Sequence, residues 1–372
     1  MRREELAAAR SIADPAHYKA LRRPAGARYV EAIDQRALPH AVVSVRIGDV
    51  DVAARAIRGM WVRGAPLIGA VGAYGLAMAL DHDPTDAGIE RAHAALDATR
   101  PTAVNLRWAL DRVRRRVAPL PAGERADAAW TEADDISAQD VAINHTIGEH
   151  GFRLLQHIAA RGAGPVNVMT HCNAGALATC GWGTATAPIF LAHARGLAVH
   201  VWVSETRPRL QGSNLTAWEL AQRGVPHTVV VDGASAALMR RRDVDVVFVG
   251  ADRVARNGDV CNKIGTYGKA LAARDNDVPF YVALPSPTFD PSLATGDAIP
   301  IELRSPDEVL EVLGRDDYGQ AIRVGVAPEG SRALNPAFDV TPARLVTGLL
   351  TERGVATASE AGLAALFPER FA

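Results

Sequence analysis

Residues 246–269 read VVFVGADRVARNGDVCNKIGTYGK. The run Val246-Val247-Phe248-Val249 is apolar at every position, the pattern of a strand buried on both faces. Gly250-Ala251 lets the backbone turn, so Asp252-Arg253 emerges where such a strand ends. Asn257, Asp259, Asn262 and Lys263 follow, ahead of a helix from Gly265. In parallel α/β sheets ligands sit beyond the carboxyl ends of strands, which gives a carboxylate placed there a functional reading. A helix cap, or a pair with Arg253, accounts for Asp252 equally well from this stretch alone.

Outward from it, four more short apolar runs stand at residues 166–169, 198–203, 228–231 and 280–283. Helical segments are predicted between the runs at 177–195, 216–223, 234–241 and 265–274. Alternating β and α elements of this length form a parallel sheet with helices on both faces. Polar residues follow each strand: His171-Cys172-Asn173, Ser204-Glu205, Asp232 and Asp252. All would project along one edge of the sheet, where a site belongs. The tail is expected to hold a helix after Asp307, an irregular loop at 328–335 and a helix near 341–353.

Upstream of residue 163 the pattern is different. Two short strands are expected around 28–30 and 42–45, then helical spacing from Asp49, a suitable N-cap. A helix ends at Val62-Arg63-Gly64 and Pro66 opens the next, so free amides and the helix dipole near Gly64 and Ala65 suit an anion. An ordinary helical turn with a solvated arginine is the alternative. Gly69, Gly72 and Gly75, three apart, mark a helix face packed closely against another element. Further helical patterns cover 87–98, 103–117 and 126–160, with Arg100 at a helix start, and residues 1–26 read as a helix fragment and lead-in. The glycine-rich Arg161–Pro165 stretch divides a mostly helical N-terminal domain with a small β element, 1–162, from an α/β C-terminal domain, 163–372.

The chain has 372 residues, with 41 basic against 42 acidic side chains and a formal charge of −1. That balance argues against broad binding to nucleic acid or an anionic membrane. The three cysteines, Cys172, Cys180 and Cys261, have no framework spacing, so free thiols in a cytoplasmic setting are expected. Residues 1–11 carry no signal-peptide pattern, and the most apolar stretch, 65–80, is shorter than the roughly 20 residues that cross a bilayer. No dinucleotide fingerprint, phosphate loop, zinc spacing or GxSxG elbow is present. The expected chemistry is acid/base work with no cofactor and no metal. Cys172, at the start of the helix predicted from 177, would have a lowered thiol pKa; a small buried hydrophobe is the alternative reading. The loop 205–212, ETRPRLQG, is dense in hydrogen-bonding groups and fits a binding loop better than a connector.

Taken together, RGAP (63–66), RPTAVNL (100–106), THCNAGALAT (170–179), ETRPRLQGSNLTAWEL (205–220), GADRVARNGDVCNKIGTYG (250–268) and NPAFDVTP (335–342) resemble the methylthioribose-1-phosphate isomerase family. That family belongs to a superfamily that also holds regulatory subunits of the translation initiation factor two exchange factor. The resemblance runs from about residue 34 to about residue 355. It implies a Rossmann-like C-terminal domain, a homodimer, and aldose–ketose isomerisation of 5-methylthioribose 1-phosphate to 5-methylthioribulose 1-phosphate in methionine salvage. Cys172 and Asp252 match the family's catalytic positions. Arg63, Gly64, Ala65, Arg100, Gln211, Asn262 and Lys263 match its substrate-binding ones. Leu303 departs from the pattern, where a second acidic residue is usual. Turnover of a related pentose 1-phosphate, such as a 5-deoxyribose 1-phosphate, and a non-catalytic sugar-phosphate-sensing subunit are the alternatives on the same fold.

Overall fold

The computed structural model describes residues 19–100 and 103–371. Most of the lead-in helix expected within 1–26 therefore lies outside the described residues, as do Pro101 and Thr102. The described part of the lead-in contains strand β1 (Leu21–Arg22), which pairs antiparallel with β2 (Val30–Ile33). β3 (Ser44–Ile47) pairs with β2 and completes the small β element. Asp49 then accepts the Val52 N–H at 2.7 Å and starts the helix Val50–Arg58.

The next helix, Ala65–Leu80, is buried along nearly its whole length. Helices Asp86–Asp97, Val104–Val117 and Ala122–Ala159 pack around it. Its three-residue glycine spacing is a packing device: a Cβ at Gly69 would lie 2.8 Å from the Asn105 carbonyl, and one at Gly72 would lie 2.4 Å from the Leu106 side chain. Leu67, Leu76, Leu106 and Leu110 are fully buried in this helical core, each worth about 1.5–3 kcal/mol of transfer free energy. The 38-residue helix Ala122–Ala159 serves two cores. Trp130 and Ile136 join the helical one, while Ile147, Phe152 and Leu155 lie under the sheet that follows.

That sheet is built from β4 (Val166–His171), β5 (Val199–Ser204), β6 (His227–Val230) and β7 (Val246–Val249). Between β7 and the next sheet strand the chain forms β8 (Arg253–Ala255) and β9 (Val260–Lys263), an antiparallel pair. β10 (Phe280–Ala283) rejoins the sheet and β11 (Phe289–Asp290) pairs with β8. A separate ribbon, β12 (Glu311–Arg315) with β13 (Ala321–Gly325), precedes β14 (Phe338–Thr341), which pairs with β9. β15 (Gly348–Thr351) and β16 (Gly354–Ala356) close the sheet at one edge.

The strand order is β16-β15-β10-β7-β4-β5-β6, parallel throughout except for β16. From β4 the chain adds β5 and β6 on one side, then returns to add β7, β10 and β15 on the other. The reversal falls between β4 and β7, paired through Val168↔Val246 and Thr170↔Phe248. This is the doubly wound Rossmann order, whose crevice lies at that reversal. The α/β fold with a helical N-terminal region is the architecture the sequence predicts.

Three sequence expectations are corrected. The helix expected over 177–195 is a short 3-10 turn, Ala176–Ala178, followed by a helix that begins only at Ala187. Trp182 at φ 64° and Gly183 at φ 78° interrupt it, and a Cβ at Gly183 would lie 2.4 Å from the Gly175 backbone. The helix expected near 341–353 is instead the end of β14, a 3-10 turn and β15, because Leu349-Leu350 fill the place beside β10. Short buried apolar runs do not distinguish strand from helix by period. After Asp307 there is one helical turn, Asp307–Leu310, and then the β12–β13 ribbon.

Candidate active site

The pocket at the strand reversal has about 660 Å³ of free space, counting its open mouth. All nine residues singled out from the sequence line it. Cys172 stands one residue beyond β4, and Asp252 three residues beyond β7. Asn262 and Lys263 end β9, Gln211 closes the 205–212 loop, and Arg63, Gly64, Ala65 and Arg100 come from the helical region.

Two glycines allow these parts to meet. Gly64 has φ 100°, and a Cβ there would sit 2.5 Å from the backbone of Ala178. A Cβ on Gly250 would stand 2.7 Å from that of Ala174, so the β4 and β7 ends approach closely. The Ala65 helix start, with Pro66 in its first turn, is thereby pressed against the segment that follows β4.

Arg63 is buried, and its guanidinium donates to both the side-chain oxygen and the carbonyl of Asn173. Arg100 donates to Glu302 at 2.8 Å, while its buried Nε has no hydrogen-bond partner. Lys263 is buried with its Nζ 4.7 Å from the Phe338 ring centre. These cations and the helix start make the pocket suited to a phosphate. Asn262 donates to Thr266 Oγ1 at 3.1 Å.

Burial pushes the Asp252 carboxyl above its ordinary value; Lys263, Arg100 and Arg63 oppose the rise and Glu302 adds to it. Burial lowers the Lys263 ammonium, with Cys172 and Asp252 opposing. Cys172 corrects a further expectation. Its thiol pKa is raised, because burial outweighs the help of Arg63 and Lys263 and no α-helix begins beside it. Its Sγ instead donates to Gln211 Oε1 at 3.5 Å. Cys172, Cys180 and Cys261 are all free thiols.

The remaining polar residues sort themselves. Arg253 lies 3.5 Å from Asp290 on the neighbouring strand, an ion pair between β8 and β11. Asn257 and Asp259 hydrogen-bond one another and hold the β8–β9 turn, with Asp259 also accepting from Gly296 and Ala343. Arg304 lines the pocket and was missed in the sequence. It donates to Glu302 and Glu308. The available signal was its place two residues after Glu302 and immediately after the departure at Leu303. Leu303 itself is 68% exposed and turned away from these partners. No group of three or more His, Cys, Asp or Glu side chains suited to a metal occurs among the described residues.

A model of the Initiation factor 2 subunit family matches residues 61–358. The chain belongs to that family. Within it, the similar proteins include methylthioribose-1-phosphate isomerases. One from Methylocella silvestris is 60% identical over 347 residues, covering 92% of this chain and 94% of that protein. One from Rhizobium meliloti is 56% identical over 357 residues, covering 95% and 98%. Among solved structures, the 5-methylthioribose 1-phosphate isomerase of Pyrococcus horikoshii OT3 superposes with a TM-score of 0.80 at 38% identity, covering 94% of this chain and 96% of its own. The eIF-2B delta subunit of A. fulgidus gives 0.77 at 35%, covering 94% and 99%. No described helix of this family member is long and apolar enough to cross a membrane.

Proposed function

We propose that this chain, a methylthioribose-1-phosphate isomerase by its relatives, isomerises 5-methylthioribose 1-phosphate with Asp252 as the proton donor and Cys172 beside the migrating hydrogen. What supports the residue assignment is one observation: both side chains line one pocket at the strand reversal, with Arg63, Arg100 and Lys263 around them.

The substrate carries its phosphate on the anomeric carbon, so the ring cannot open as a free sugar does. Asp252 gives its proton to the ring oxygen, and the C1–ring oxygen bond breaks, leaving positive charge on C1. Hydrogen then moves with its electron pair from C2 to C1, while the C2 hydroxyl returns a proton to Asp252. The product is the 2-ketose with its phosphate still on C1, and the carboxyl is regenerated. A raised Asp252 pKa is the direction that role requires. A buried thiol with a raised pKa is a poor base, which favours this hydride route over proton abstraction by thiolate. In that route Cys172 packs neutral against the reacting carbons and keeps water away.

Arg63, Arg100, Lys263 and the amides at Gly64 and Ala65 take the phosphate, and Gln211 and Asn262 take sugar hydroxyls. We read the working form as a cytoplasmic homodimer, which sedimentation at graded concentration tests. Purified protein is expected to convert the substrate to a ketose without added metal or nicotinamide, followed by NMR. Turnover in D2O with no deuterium at C1 supports the hydride route, and deuterium there overturns it. A comparison of 5-methylthio, 5-deoxy and 5-phospho substrates identifies the preferred 5-substituent; faster turnover of another pentose 1-phosphate replaces the substrate assignment.

A further inference from the structure

Two of the non-glycine residues with left-handed backbones are hydrogen-bonded to each other at the edge of the site. Cys172 has φ 62° and Thr206 has φ 65°. Each follows the carboxyl end of its strand, β4 or β5, whose last residues pair as His171↔Ser204. The Cys172 N–H donates to Thr206 Oγ1 at 2.8 Å. On the other side of the same residue, Thr216 Oγ1 donates to the Cys172 carbonyl at 2.6 Å. Both threonines are buried, at 0% and 1% exposure. A β-branched residue at positive φ is a true outlier, and strain of this kind persists only where the surroundings over-determine it.

The surroundings are present. Asp232, just past β6, accepts the Thr206 N–H at 3.0 Å and the Arg207 N–H at 2.7 Å. Its carboxylate also receives the Ser204 hydroxyl and lies 3.5 Å from Lys269 Nζ. Thr216 ends a widened π-type turn, Gly212–Thr216, and its hydroxyl accepts from Asn173 Nδ2 at 3.1 Å. Asn173 in turn holds the Arg63 guanidinium.

We propose that Thr206 and Thr216 are positioning residues that clamp the Cys172 backbone in its left-handed form and so aim the thiol into the pocket. Asp232 fixes the loop that carries one of them. The proposal rests on the reading of Cys172 as a catalytic group. Neither hydroxyl is within the substrate pocket; each acts on main-chain atoms of Cys172. Thr216 also ties the thiol's placement to the phosphate arginine, through one asparagine.

The test uses Thr206→Gly, Thr206→Ser, Thr216→Val and Thr216→Ser in the full chain. Glycine accepts φ 65° without strain, so Thr206→Gly removes the hydroxyl without asking a new side chain to adopt that backbone. The expected result is a kcat loss of about tenfold or more in Thr206→Gly and Thr216→Val with KM changed far less. The rate at which a small haloacetamide alkylates Cys172, and its pH dependence, should shift in the same two variants. The serine variants should recover most of both. Wild-type kcat and wild-type alkylation in both hydroxyl-deleted variants, with melting temperatures lowered or not, overturn the clamp. Full activity in Cys172→Ser overturns the reading beneath it instead, so the two failures are distinguishable.

Discussion

Cys172 and Asp252 stand past the carboxyl ends of adjacent strands, β4 and β7, on either side of the point where the sheet's strand order reverses. The two strand ends diverge to connections on opposite sides, which opens a crevice there without any glycine-rich phosphate loop. The groups proposed to bind the anion come from outside the seven-stranded sheet, among them Arg63 and the Ala65 helix start. On the proposed reading the sheet carries the reacting groups, while the cations come from the helical region and, with Lys263, from the end of β9.

Asp252→Asn is expected to lower kcat by about 10²–10⁴-fold, the usual range for a lost general acid. Stability should move the other way. A carboxyl whose folded pKa is raised favours folding when protonated and costs stability as pH rises past its unfolded value. At pH 7–8 the asparagine variant should therefore melt at or above the wild type. Wild-type turnover removes Asp252 from the mechanism.

Phosphate binding should take up protons. Lys263, Arg100 and Arg63 hold the Asp252 pKa down, while burial keeps that of Lys263 low. A dianion among these cations opposes their pull on Asp252 and favours the charged lysine, so both groups gain proton occupancy. Calorimetry with a substrate analogue in buffers of different ionisation enthalpy measures the uptake. It should be smaller in Asp252→Asn, and release instead of uptake contradicts the charge arrangement.

Gly64→Ala should be severe for so small a change. The residue has φ 100°, and the added methyl would meet the Ala178 backbone at 2.5 Å. Backbone strain and overpacking together cost about 2–4 kcal/mol. Denaturant melts should register that loss. KM should rise more than kcat falls if the amides at Gly64 and Ala65 take the phosphate as proposed.

Glu308 anchors the segment that follows Arg304. Burial alone would raise its carboxyl, but Arg304 and Arg209 pull it down to about 2 from an ordinary 4.5. Its stabilisation is therefore complete above about pH 4.5 and lost as pH falls toward 2. Glu308→Gln should cost about 1–3 kcal/mol at neutral pH and flatten the acid limb of the stability profile. An unchanged acid limb means that the ion pairs with Arg209 and Arg304 are not stabilising.

The five predicted parallel strands are all present because buried β-runs are short, continuous and bounded by turn residues. β15 was not legible: Gly348–Thr351 reads equally as part of a helix, and only its place beside β10 decides. The irregular 176–186 segment escaped for a related reason, since Trp182 and Gly183 take left-handed backbones that the period of the flanking alanines conceals. The nine candidates came from the resemblance of their motifs to a family, and the structure brings all nine to one pocket. Arg304 was not among them, since its role depends on Glu302 and Arg100 meeting across 202 positions of chain. The Cys172 pKa was misjudged because burial is a tertiary property, and the presumed local helix was absent.

The grip of Arg63 on Asn173 spans 110 positions of chain. As the protein leaves the ribosome, its helical segment can pack around Ala65–Leu80 long before β4 emerges. Arg63 must wait for Asn173, and Asn173 must wait for Thr216 and Glu219 to complete its own bonds. Assembly of the pocket is thus a late event in the life of a nascent chain, and a ribosome-bound intermediate holds a helical core that still lacks Ala176, Leu177, Cys180 and Leu215.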